Sequence, residues 1–149
     1  MDALELLTAD HETFRELFDQ FRQASDRGDS DRMAAVQGEI FGGLKVHTAI
    51  EEEVFYPQAE QVGGETEELV KEGVEEHHVI DVLMAEVADL SPSDEAWQAK
   101  MTVLIENVEH HAEEEEEELF PKLRHAFGAE RLEQMGGQLE SAKQRHQNG

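Results

Sequence analysis

His47-Thr48-Ala49-Ile50-Glu51-Glu52-Glu53-Val54-Phe55-Tyr56-Pro57 is echoed in the second half of the chain by His111-Ala112-Glu113-Glu114-Glu115-Glu116-Glu117-Glu118-Leu119-Phe120-Pro121. Each stretch sets a Glu four residues after a His and a Pro ten residues after it. Side chains four apart on a helix lie one turn apart on the same face, so each pair can offer one nitrogen and one oxygen to the same ion. The segments before them echo too: Asp10-His11 has Phe14 three residues on, and Glu76-His77 has Ile80. Two helix pairs related by an approximate two-fold would build a symmetric site.

Working outward, Leu4, Leu7, His11, Phe14, Phe18 and Phe21 step by three and four, the stripe of an amphipathic helix. Asp26-Arg27-Gly28-Asp29-Ser30 breaks it. A second stripe runs through Met33, Val36, Ile40, Leu44, His47, Glu51 and Val54 and closes near Pro57 and Gly63-Gly64. A third takes Val70, Val74, His77, Ile80, Met84 and Val87. Ser91-Pro92-Ser93-Asp94 then starts a fourth, with Ser91 as cap and Pro92 at the first helical position. That stripe is Trp97, Met101, Leu104, Val108, His111 and Glu115, and residues 129 to about 147 read as a polar C-terminal helix. No stretch alternates with period two. The expectation is an all-α fold, an antiparallel up-down four-helix bundle with a short C-terminal helix, in a single domain over 1–149 with its metal-binding core at about 8–125.

Antiparallel neighbours bring residues equidistant from their turn to one height. The midpoints of His11 and His47, of His47 and His77, and of His77 and His111 fall at residues 29, 62 and 94, each at an expected turn. All four histidines therefore converge on one layer.

One buried His on an apolar stripe is commonplace, but four in a layer with two glutamates are not, because an unpaired buried carboxylate is costly. The expected ligands are His11, His47, Glu51, His77, His111 and Glu115. Two bridging glutamates, two histidines per ion and a bridging oxo or hydroxo group leave each of two metals five-coordinate. Imidazole with carboxylate favours iron over manganese or zinc. His110 and Glu114 share the spacing of His111 and Glu115, and His78 neighbours His77, so these three stand as alternates. Asp81 is a further ligand, an acceptor for a ligand imidazole, or simply the partner of an outer cation such as Arg15. Tyr56, half a turn round from His47, is expected outside the core, and His125 and His146 at the surface.

Composition narrows the functions. Asp and Glu total 36 against 12 Lys and Arg, and a net charge of −24 repels nucleic acid and anionic membrane surfaces. There is no cysteine, which excludes disulfides, thiolate catalysis and sulfur-ligated metals. No apolar run approaches the ~20 residues needed to span a bilayer, and the acidic N-terminus is unlike a signal peptide, so a cytoplasmic location is expected. Oligomeric state is left open.

The segments DHETF, HxxxEExVFYP, EEHH and HAEEEEEELFP together resemble the hemerythrin-like family, with a His on the first helix, HxxxE on the second, His on the third and HxxxE on the fourth. The resemblance covers residues about 8 to 125 and implies an oxygen-bridged di-iron centre that binds dioxygen, nitric oxide or peroxide. Oxygen-carrying members have a second His one turn along the third helix, where this chain has Gly73 and Asp81. The set of four His and two Glu is closer to that of the related iron-centre repair proteins, which add a cysteine-containing N-terminal segment that is missing here. The expected function is a di-iron protein that binds or senses one of these small ligands, and more a binding protein than a dedicated enzyme. The alternatives are an enzyme that reduces peroxide or nitric oxide, an iron donor for repair, and a metal-storage or regulatory scaffold.

Overall fold

The computed structural model describes residues 1–148. Helix α1 (Ala3–Asp26) starts at a reciprocal cap, in which Asp2 accepts from the Glu5 amide and Glu5 from the Asp2 amide. Asp29 caps α2 (Ser30–Ile50) by accepting from the Arg32 amide. The chain then runs through a wide turn (Glu51–Phe55) into α3 (Tyr56–Glu60). Helix α4 (Gly64–Ala88) follows a reversal in which Gly63 and Gly64 have φ of 79° and 57°, a region that favours glycine. Helix α5 (Glu95–Glu114) leads through a second wide turn (Glu115–Leu119) into α6 (Phe120–Ala126). Helix α7 (Ala129–Asn148) is the last element among the described residues. Among the described residues there is no strand, and no helix is long and apolar enough to cross a membrane.

The bundle is the expected one, with α1 against α2 and α4 against α5. Its interior is two apolar clusters. One gathers Phe14, Phe18, Phe21, Ile40, Leu44, Ile80, Met84, Trp97, Met101 and Leu104 at the end of the 27–29 and 89–94 turns. The other gathers Leu4, Leu7, Ile50, Phe55, Val70, Leu119, Leu123 and Leu132 at the opposite end. Reading along α1, His11 lies between Leu7 of one cluster and Phe14 of the other. The polar layer is thus enclosed by hydrocarbon on both sides.

Four local details differ from the sequence reading. Ser91-Pro92 lies in the turn before α5, and Asp94 is the cap, accepting from the Ala96 amide. Val74 is exposed, and Gly73 takes the inward place on α4. Helix α7 is not polar all round: Leu132, Met135, Leu139 and Ala142 are buried where it packs on α1 and α2.

The fourth difference concerns the wide turns. Each is a π-helical turn, in which the Tyr56 amide donates to the Glu51 carbonyl and the Phe120 amide to the Glu115 carbonyl. The extra residue shifts the helical phase by about 100°. The inward stripe therefore passes from Glu51 to Phe55 and Tyr56, leaving Val54 only half-buried. Tyr56, expected outside the core, is buried at 3% exposure. Pro57 and Pro121 sit within the first two residues of the short helices that follow, where a proline lacking its amide is tolerated.

Candidate metal centre

The fold brings all six expected residues into one buried layer: His11, His47 and Glu51, His77, His111 and Glu115 are each at most 4% exposed. Glu51 reaches both helix pairs. Its Oε1 is 3.3 Å from His47 Nε2, 3.0 Å from His77 Nε2 and 3.6 Å from His111 Nε2. Glu115 does the same from the other side, with Oε1 3.1 Å from His11 Nε2 and Oε2 3.4 Å from His111 Nε2. Two groups follow, one of His11, His47, Glu51 and Glu115 and one of His77, His111 and Glu51, each with its nitrogen and oxygen atoms within 4.8 Å of one another.

Every imidazole is gripped from behind. His11 Nδ1 is 2.6 Å from Glu116, His47 Nδ1 2.9 Å from Asp10, His77 Nδ1 2.8 Å from Glu52 and His111 Nδ1 2.6 Å from Glu76. A carboxylate at Nδ1 makes that nitrogen the donor and aims Nε2 inward, where a metal would take its lone pair in place of a proton. The four contacts obey the internal two-fold: His11 with Glu116 mirrors His77 with Glu52, and His47 with Asp10 mirrors His111 with Glu76. Sequence reasoning missed all four carboxylates. Their signal was present, because each directly adjoins a site residue in Asp10-His11, Glu51-Glu52, Glu76-His77 and Glu115-Glu116.

The same groups set the electrostatics. Burial disfavours the charged His47 imidazole, but Glu51 and Asp10 beside it outweigh that and push it up to about 10. Burial likewise opposes charge on Glu51, yet the surrounding imidazoles of His47, His111 and His77 hold its carboxyl well below the usual range. Burial, reinforced by Glu115 and Glu51, pushes the Tyr56 phenol well above its ordinary value. Tyr56 therefore keeps its proton and donates it to Glu115 Oε2 at 2.7 Å, with His111 Nε2 and His77 Nε2 at 3.3 and 3.4 Å.

A cation fits this layer on an observation independent of spacing. His11 Nε2, His47 Nε2, Glu51 Oε2 and Glu115 Oε1 are buried and make no hydrogen bond, although His11 Nε2 stands 3.1 Å from Glu115 Oε1 and His47 Nε2 3.3 Å from Glu51 Oε1. Buried polar atoms without partners are rare and costly, and four converging atoms of this chemistry are what a divalent ion satisfies.

The alternates lie elsewhere. His78 and Asp81 are exposed and border a surface hollow of about 400 Å³ with Glu52 and His77. Asp81 joins neither group, and Arg15 pairs with Glu12 and Glu116 instead. His110 is exposed and pairs with Glu114 at 3.3 Å; with Glu76 they form a separate outer cluster, so His111 and Glu115 hold the inward register. His125 and His146 are exposed, as expected.

Comparison with known proteins agrees with this architecture. A curated relative, a DNA nickase from a Nostoc species, is 28% identical over 149 residues, 99% of this chain. The chain spans only 40% of that relative's length. A solved structure of a hemerythrin HHE cation binding domain-containing protein from Mycobacterium kansasii superposes with a TM-score of 0.82. It is 20% identical, and the match covers 99% of this chain and 88% of that one, a likeness of fold. The hemerythrin HHE cation binding domain itself matches residues 2–123. With that match over most of its length and a buried His and Glu layer able to hold a cation, the chain belongs to the hemerythrin HHE cation-binding domain family.

Proposed function

We propose that this chain is a non-haem di-iron protein that binds or senses dioxygen, nitric oxide or peroxide, with His11, His47, His77, His111, Glu51 and Glu115 as the metal ligands. The observation that carries it is the set of four unpartnered, buried ligand atoms between two helix pairs. Two iron ions with a bridging oxygen would supply redox and small-ligand chemistry that no side chain of this chain provides. Glu51 and Glu115, each within reach of both His pairs, would help to hold both ions. Glu116, Asp10, Glu52 and Glu76 orient the imidazoles and raise their basicity. The two apolar clusters keep bulk water from the layer. Tyr56 holds a hydroxyl proton at the layer and can donate a hydrogen bond to a small ligand there.

A nucleic-acid activity such as the relative's name describes finds no support in a net charge of −24. The test is to load the chain with iron, reduce it anaerobically and admit oxygen. A visible spectrum that forms and reverses when oxygen is removed supports binding. Rapid irreversible oxidation with turnover of added peroxide replaces binding by the enzymatic reading. A purified chain that holds no iron and gains no stability from it ends both.

A further inference from the structure

The internal two-fold that relates the two halves of the layer breaks at one pair of residues. Tyr56 follows the first π turn and Phe120 follows the second, at equivalent places. The Phe120 ring lies parallel to His11, with centroids 6.0 Å apart, and offers no polar atom. The Tyr56 hydroxyl faces the other half, with His111 Nε2 at 3.3 Å and His77 Nε2 and Glu51 Oε1 at 3.4 Å, and it donates to Glu115 Oε2 at 2.7 Å, a carboxylate that reaches both halves. All four unpartnered atoms accordingly belong to the group of His11, His47, Glu51 and Glu115.

Resting on the metal reading above, we propose that the two positions are inequivalent. The position between His11 and His47 fills first and tightly; the one between His77 and His111 fills second, because the Tyr56 hydroxyl, held by its donation to Glu115 Oε2, stands against its ligand atoms and must be displaced. An ion entering the first position relieves four stranded atoms, whereas one entering the second must break the contacts of a buried hydroxyl.

Electrostatics outside the layer run the other way. On the first side the outer carboxylates carry cations, Arg15 on Glu116 at 2.9 Å and Lys143 on Asp10 at 2.7 Å. On the second side Glu76 faces Glu114, whose carboxyl is pushed up by burial and by Glu76. These second-side carboxylates are partly exposed and screened, so they speed the arrival of a cation more than they retain it.

Tyr56 is the only tyrosine in the chain, which gives the experiment a built-in reporter. The metal-free full chain is titrated with Zn2+, a spectroscopically silent probe, with bound metal followed by equilibrium dialysis and Tyr56 by near-ultraviolet difference absorbance. The expected result is a first equivalent bound at least tenfold more tightly than the second, with most of the tyrosine shift arriving with the second. Crystals grown with one equivalent are expected to show anomalous density between His11 and His47. Equal affinities, a tyrosine shift proportional from the first addition, or density between His77 and His111 would overturn the ordering. No bound Zn2+ in either position removes the metal reading itself, a different failure, and the ordering falls with it.

Discussion

Gly73 occupies an inward position on α4 where a single methyl group decides between two opposed effects. In an open helix interior, replacing Gly by Ala stabilises by about 0.5–1 kcal/mol, because the unfolded chain loses backbone freedom. A Cβ at Gly73 would meet the Tyr56 hydroxyl oxygen at 2.8 Å and its ring carbon at 3.1 Å, with His111 Cε1 at 3.5 Å. The ring cannot swing away freely, because it is 3% exposed and its hydroxyl is tied to Glu115. Overpacking of this kind costs about 1–3 kcal/mol, so Gly73→Ala should be destabilising or at best neutral, by about 0–2.5 kcal/mol. Gly38 is the control: it is exposed on α2 and a Cβ there meets nothing within 4 Å. Gly38→Ala should gain the full helical benefit, leaving the two variants about 1–3 kcal/mol apart. Urea denaturation of the metal-free chain measures the gap, and near-ultraviolet absorbance of the lone tyrosine reports whether Tyr56 has moved. If Gly73→Ala proved as stabilising as Gly38→Ala, the packing of Tyr56 against α4 would be wrong.

Further expectations follow from other contacts. A Cβ on Gly136 would meet the backbone of Met1, Asp2 and Ala3 at 2.3 to 3.1 Å, whereas one on Gly137 meets nothing. Gly136→Ala should therefore lower stability by about 1–3 kcal/mol relative to Gly137→Ala, and equal denaturation midpoints would refute the docking of α7 on the start of α1. Removing the outer partner of His11 with Glu116→Ala should weaken metal binding by about 10–100-fold. Glu117→Ala, at an exposed neighbour, should leave it unchanged. The His47 imidazole is pushed up to about 10 in the fold, from 6.5. A raised folded value stabilises fully below the unfolded value and is lost as pH rises through the folded one, so the metal-free chain should lose stability between about pH 6.5 and 10. A urea midpoint that climbs over that range would contradict the ion pairing of His47 with Glu51 and Asp10.

Much of the fold was open to reading because its causes are local. Asp26 to Ser30 and Gly63-Gly64 mark reversals by their own chemistry, and a three-four stripe needs no knowledge of its partner. Equal distances to the turns then placed His11, His47, His77 and His111 in one layer, which is where the structure has them. Tyr56 could not be placed this way. Its direction depends on a π turn at Glu51–Phe55, and one additional residue of phase reverses the expectation for everything after it. Val74 was taken for Gly73 for a related reason, since only the neighbouring Tyr56 ring shows that α4 needs its smallest residue on the inside.

By itself, then, the sequence determined four amphipathic helices, their order and the height of the six His and Glu residues, because periodicity and turn chemistry are carried by neighbours along the chain. Tertiary structure alone decided what surrounds that layer. Which carboxylate backs which imidazole, that Lys143 of α7 meets Asp10, and that a phenol fills one half of the layer while a phenyl ring flanks the other all depend on residues up to 133 positions apart. Such contacts are set by helix phase and packing, which no local pattern encodes.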